Sequence, residues 1–234
     1  MGVFVNGTNG GEIFGGASSA GLNITAHDIL ITDGGSIRTD TNGAGAAGPI
    51  NISTANLQLT NGGQIQSSSR FGINFETGLP VDVPPSGHAG AISIEGLIGP
   101  AQSILIDGQK SGIFPDTVGP GAGGSVNILA SAVTLQNGGT LSAATSGTAP
   151  SATGGTIVVK ADTVSLNTGG TMTAMSTGAG AAGQITVQGV ASSAQSVLID
   201  GSGSGIFTDT HGTSAGGNIS VNSNSGTLEK GGTL

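Results

Sequence analysis

The chain has 234 residues, 46 of them glycine, and contains no cysteine, tryptophan or tyrosine. Disulfides and thiolate metal sites are therefore excluded, as is a core built on tryptophan and tyrosine. Thirteen acidic against five basic residues give a net charge of −8, which opposes nucleic acid and anionic membranes as partners.

Val3 to Ile13 reads as a partial coil, and from Leu22 a repeat sets in. Its first coil places Leu22, Ile24 and the small Ala26 at alternate positions, then Ile29 and Ile31, then Gly34-Gly35-Ser36-Ile37, then Thr41. The second coil repeats this as Ile50, Ile52 and Thr54, Leu57 and Leu59, Gly62-Gly63-Gln64-Ile65, and Ser69. Residues Arg70 to Ala89 break the pattern with Phe71, Phe75, Pro80, Pro84, Pro85 and His88, and are expected to project from the side as a loop. The third coil has Ile92, Ile94 and Gly96, Ile104 and Ile106, Ile113 and Thr117. The fourth has Val126, Ile128 and Ala130, Val133 and Leu135, Gly138-Gly139-Thr140-Leu141, and Thr145. In the fifth stand Ile157, Val159 and Ala161, Val164 and Leu166, Gly169-Gly170-Thr171-Met172, and Ser176. Ile185, Val187 and Gly189, Val197 and Ile199, Ile206 and Thr210 make the sixth. Ile219, Val221 and Ser223, Leu228 and Gly231-Gly232-Thr233-Leu234 make the seventh.

Alternation of period two puts these aliphatic residues on one face and the polar residues between them in water. Successive members of the Ile24 column are 28, 42, 34, 31, 28 and 34 residues apart, so a bare coil needs about 28 and the excess forms loops. Three strands per coil predict an all-β fold, a right-handed parallel β-helix of triangular section with about seven coils of roughly 28–34 residues. One domain spans 1–234, with 70–89 as an insertion. The column Thr41, Ser69, Thr117, Thr145, Ser176 and Thr210 predicts an internal hydroxyl ladder near a corner. Residues 90–123 resemble 183–216, an offset of 93, which points to duplication of whole coils.

Few groups suggest chemistry. Asp40, Asp116 and Asp209 share one column, but they fall on separate coils and lack the close carboxylate pairing of glycosidases; they are expected to be turn residues bonding local backbone N–H groups. Asp107 and Asp200 precede glycine and receive the same reading. His27, His88 and His211 lie on different coils, and neither a metal-ligand nor a phosphate-loop spacing is present, so no cofactor or metal is expected. Phe114 and Phe207 fall on the outward phase as matched candidates for stacking on a sugar ring. Arg70, Phe71, Phe75 and His88, in the projecting segment, form the candidate recognition loop.

The pattern Gly-x-Ile-x-Val-x-Ala, then Val-x-Leu-x-x-Gly-Gly-x-Ile-x-Ala-x-Thr, then a glycine-rich turn, is clearest from Gly155 to Gly183. It resembles the repeat region of filamentous haemagglutinin-like exoproteins of two-partner secretion systems. The resemblance implies a secreted, surface-exposed β-helix of Gram-negative bacteria, exported through an outer-membrane β-barrel transporter and active in adhesion, biofilm formation or fibre building. The family's Asn-Pro-Asn secretion motif is not found, so an internal fragment of a longer repeat protein or a filament subunit is expected. The expected function is thus structural and adhesive, without catalysis, with head-to-tail self-association and a host-cell or surface glycan as expected partners. A carbohydrate-active β-helix enzyme is the alternative. An ice-binding array would need outward Thr-x-Thr rows, whereas Thr39/Thr41 and Thr208/Thr210 fall on the inward phase.

Overall fold

The computed structural model describes residues 2–6, 12–14, 21–71 and 86–234. It is an all-β solenoid of about six stacked turns, close to the seven expected, with strands paired in parallel from turn to turn. Phe75 and the bulk of the expected Arg70–Ala89 loop, residues 72–85, lie outside the described residues.

Each bare turn begins with one long strand: β3 (Leu22–Thr32), β5 (Ile50–Thr60), β10 (Ser125–Gln136) and β12 (Thr156–Asn167). These strands carry the first two faces of the coil without a break. In β12, Ile157, Val159 and Ala161 point inward, Asp162 and Thr163 both face out, and Val164 and Leu166 point inward again. Two consecutive outward residues shift the pleat by one, and the strand turns its corner there. In the two long coils the corner is opened instead. β7 (Ala91–Glu95) is followed by β8 (Ala101–Asp107), and β14 (Gln184–Gln188) by β15 (Ala194–Asp200). The five residues 96–100 and 189–193 form loops at matched places. This corrects the expected small-residue column, because Ala101 pairs with Ala130 and Ala194 with Ser223. Gly96 and Gly189 open the loops.

The third face is a seven-stranded sheet of three-residue strands running from β2 (Glu12–Phe14) through β4 (Ser36–Arg38), β6 (Gln64–Gln66), β9 (Gly112–Phe114), β11 (Thr140–Ser142) and β13 (Thr171–Thr173) to β16 (Gly205–Phe207). Beyond it, Thr41, Ser69, Thr117, Thr145, Ser176 and Thr210 are joined by successive parallel bridges, which is the hydroxyl column expected from the repeat. The Oγ of Thr41, Thr145 and Thr210 accepts the N–H of the residue two positions on, at 3.2–3.4 Å.

Register follows the aliphatic columns. Leu22 pairs with Ile50, Ile50 with Ile92, Val126 with Ile157 and Ile185 with Ile219. Ile52, Ile94, Ile128, Val159 and Val187 form part of one continuous buried cluster. Each such side chain contributes roughly 1.5–3 kcal/mol of gross burial energy, much of it offset by chain ordering. In the last turn Leu228 and Leu234 remain 48% and 51% exposed.

Glycine sets two of the corners. Between the second and third faces, Asn61 (φ 48°) and Gly62 (φ 81°) are both left-handed, and Gly63 N–H bonds Thr60 O at 2.9 Å. This type I′ turn is the tight connection favoured by Asn-Gly. The second glycine has another role, since a Cβ on Gly63 would lie 2.1 Å from Ile31 O of the preceding turn. At the corner leading back to the first face, a Cβ on Gly155 or Gly183 would sit 1.8 Å from the carbonyl oxygen of the glycine below. Stacking distance, rather than backbone freedom, selects glycine there.

Candidate recognition surface

The groups singled out for chemistry are distributed along the shaft, and most of those with described contacts hold neighbouring turns together. Asp40 Oδ2 lies 2.9 Å from both Nε and a terminal nitrogen of Arg38 and 3.5 Å from Arg70 Nε, while its Oδ1 accepts the Ser68 N–H at 2.9 Å. Asp116 Oδ1 accepts the Ser142 hydroxyl at 2.6 Å and the Ala144 N–H at 2.8 Å. Both aspartates do bond backbone N–H groups, as expected, but those groups belong to the next turn rather than to their own. Asp209, third in the column, is exposed.

The two precursors of glycine also reach across turns. Asp107 accepts from the side-chain amides of Gln136 and Asn137, at 3.1 and 2.8 Å. Asp200 receives Lys230 Nζ at 3.0 Å. That hydrogen bond and the charge of Asp200 raise the Lys230 amine above its ordinary value. Removal from water is the largest effect on Asp116 and pushes its carboxyl above the usual carboxylate range; the bonds from Ser142 and Ala144 and the charge of Arg70 act in the opposite direction. At the exposed corner of β3, the Asn56 amide and then His27 hold the Asp28 carboxyl below its ordinary value.

Of the expected recognition loop, the stems are described. Arg70 approaches Asp40 and its N–H bonds Thr41 O; Phe71 is 47% exposed. His88 Nδ1 accepts the Ala122 N–H at 2.8 Å, and His88 O accepts the Ala47 N–H. The far stem is thereby tied to the turns on either side. Arg70 and His88 both serve this anchoring. His27 contacts Asp28 at 2.9 Å, and His211 is exposed on a distant turn. Among the described residues no group of three or more His, Asp or Glu could hold a metal ion.

Phe114 and Phe207 are partly buried. Each ring folds back over the glycine two residues earlier, so that a Cβ on Gly112 or Gly205 would meet the ring tip at 2.4 Å. The face each presents is one side of a ring resting on backbone. The two phenylalanines still occupy equivalent outward sites, because Phe114 continues the β6–β9 register and Phe207 the β13–β16 register.

A feature missed in the sequence lies on the first face. The loops 96–100 and 189–193 stand three turns apart and wall a groove of about 540 Å³, floored by outward residues of β10 and β12 that include Asn127, Leu129, Val158 and Lys160. Leu97 is 43% and Ile98 96% exposed on the first of these loops. The signal was present: Ala26, Ala101, Ala130, Ala161 and Ala194 all stand three residues before the first aliphatic of the second face. That spacing separates the loops from the strands.

Compared with known protein families, with curated proteins and with solved structures, the chain shows no match.

Proposed function

We propose that this β-solenoid is a non-catalytic structural segment of a secreted bacterial surface fibre, acting in adhesion or in building an extracellular matrix. The observation that supports this reading is the placement of its carboxylates. Asp40, Asp107, Asp116 and Asp200 are engaged with neighbouring turns, where they brace a shaft. The repeat pattern's resemblance to filamentous haemagglutinin-like exoproteins adds the expectation of export through an outer-membrane β-barrel and of a surface or host glycan as ligand. A further turn stacked on the same columns, within a longer chain or from a second rod, would cover Leu228 and Leu234. Incubation with acidic and neutral polysaccharides tests the reading against the carbohydrate-active alternative. We expect no new reducing ends and no unsaturated products, together with retention of chain-coated beads on cell or glycan surfaces. Turnover of any polysaccharide, or beads that bind no better than uncoated ones, would overturn it.

A further inference from the structure

We infer that the first face of the solenoid is a self-recognition surface, on which a second copy of this chain packs side by side and antiparallel about a two-fold axis through Leu129. The inference is independent of the adhesive reading, since a catalytic solenoid could pair in the same way.

It begins with one outward column. Ser53 pairs with Glu95, Leu129 pairs with Lys160, and Lys160 pairs with Gln188. Glu95 follows Ile94, whose partner is Ile128, the residue before Leu129. Reading along the shaft, the column therefore runs acid, leucine, base, with steps of about 4.8 Å. Glu95 and Lys160 are both exposed and stand two steps, or about 10 Å, apart. That is too far for an ion pair with each other, and neither joins an ion pair among the described residues. An axis lying in the interface along the strand direction, and passing through Leu129, reverses the column. Glu95 then faces Lys160 of the partner, Lys160 faces Glu95 of the partner, and the two Leu129 side chains meet. A self-complementary patch of this kind is what a closed two-fold interface requires, with opposed charges fixing its register.

Shape agrees with charge. The groove holds the turns of β10 and β12 between a wall at the turn of β7 and a wall at the turn of β14. Under the same axis the 96–100 loop of each copy faces the turn of β12 in the other, inside the groove. Ile98, 96% exposed on the tip of that loop, gains an apolar neighbourhood that includes Val158 and Val190. The 189–193 loop faces the turn of β5, which carries no loop. An axis between the turns of β10 and β12 would instead drive the two loops against each other. An axis through Lys160 would clear the loops but set two lysines face to face, so loops and charge together favour the axis through Leu129 over these two neighbours. Two turns of strand between the loop walls make a small interface, of the class seen in weak and transient complexes, so the dimer is sought at high protein concentration.

The absence of native cysteine permits a direct test. Leu129→Cys on the axis and Ser53→Cys two turns away are each treated with a short bis-maleimide at about 50 µM protein, alongside sedimentation of the parent chain, Glu95→Lys, Lys160→Glu and the double reversal. Leu129→Cys should cross-link to a dimer and Ser53→Cys should not, because its mate would lie about 19 Å along the shaft. Each single reversal should weaken the dimer by about tenfold or more, and the double reversal should restore it. Ile98→Asp should abolish it, with unchanged circular dichroism showing that the fold survives. A parent chain that stays monomeric at 100 µM would overturn the proposal, as would a dimer insensitive to both reversals or equal cross-linking at both cysteines. End-to-end stacking would produce that insensitivity, so its presence is distinguished from lateral pairing.

Discussion

Thr168 occupies a position that a β-branched residue tolerates poorly. It is left-handed at φ 49°, ahead of Gly169 at φ 83°, where the equivalent turns carry Asn61 and Asn137. The strain arises because a branched Cβ crowds the backbone in that region. Thr168→Asn keeps the turn and relieves the strain, and we expect a gain of about 1 kcal/mol, read as a rise in Tm of about 2–4 °C. Asp116 offers a second test at this scale. A carboxyl raised on folding binds its proton more tightly in the folded than in the unfolded chain. It therefore detracts from stability above its folded pKa, and that deficit fades as pH falls through the folded value toward the ordinary one. Asp116→Asn retains an oxygen for Ser142 and Ala144 and removes the charge. It should unfold at higher denaturant than the parent at pH 7, with the difference closing in acid. Asp116→Ala leaves the Ala144 N–H unpaired and should lose about 1–3 kcal/mol. Equal losses in the two variants at pH 7 would contradict this account.

Among the elements, the inward columns were legible because only one alternation phase can fill so narrow a shaft, and a slip of one residue would turn every aliphatic outward. The Ile24, Ile29, Ile31 and Ile37 columns are paired from turn to turn in that register. What escaped was whatever depended on neighbours in the next turn. Gly96 looked like a small corner residue because it follows Ile94 by two, yet the strand stops there and Ala101 resumes the corner. The backbone donors bonded by Asp40 and Asp116 could not be assigned from local sequence, because they lie 28 residues downstream. Phe114 and Phe207 carried a local signal, glycine two positions earlier on the same face, which lets an aromatic ring settle on exposed backbone. The register argument also predicts that one whole turn is dispensable. Deleting residues 156–183, a bare coil of 28, brings Gln184 into the place of its partner Thr156 and should leave a cooperatively folded β protein. Deleting one residue fewer leaves an extra residue at the joint and should lower the thermal midpoint in circular dichroism relative to the 28-residue deletion. Equal midpoints for the two would refute the register argument.

At the scale of the whole molecule, the solenoid has no closed hydrophobic ball; each turn buries its aliphatic edges on the turns beside it. Stability is therefore distributed, and the regions free to differ are loops and outward columns. That division separates the shaft from its surfaces. The shaft is specified by glycine and aliphatic columns, whereas the flank around Leu129 carries charges and loops that the shaft does not require. Of the candidate site, the sequence disclosed the matched phenylalanines. It concealed the groove, because Glu95, Leu129 and Lys160 become neighbours only when loops of different length are removed from the count.

The hydrogen bonds between turns run along the long axis, which has a mechanical consequence. A pull applied at the two ends loads them head-on, a few at a time, as in opening a zip, and does not shear a whole sheet at once. Each released bare coil of 28 residues would lengthen the molecule by about 90 Å at roughly 3.3 Å per residue. Under tension such a shaft would yield in repeated small steps, giving a tether that absorbs sudden load without parting.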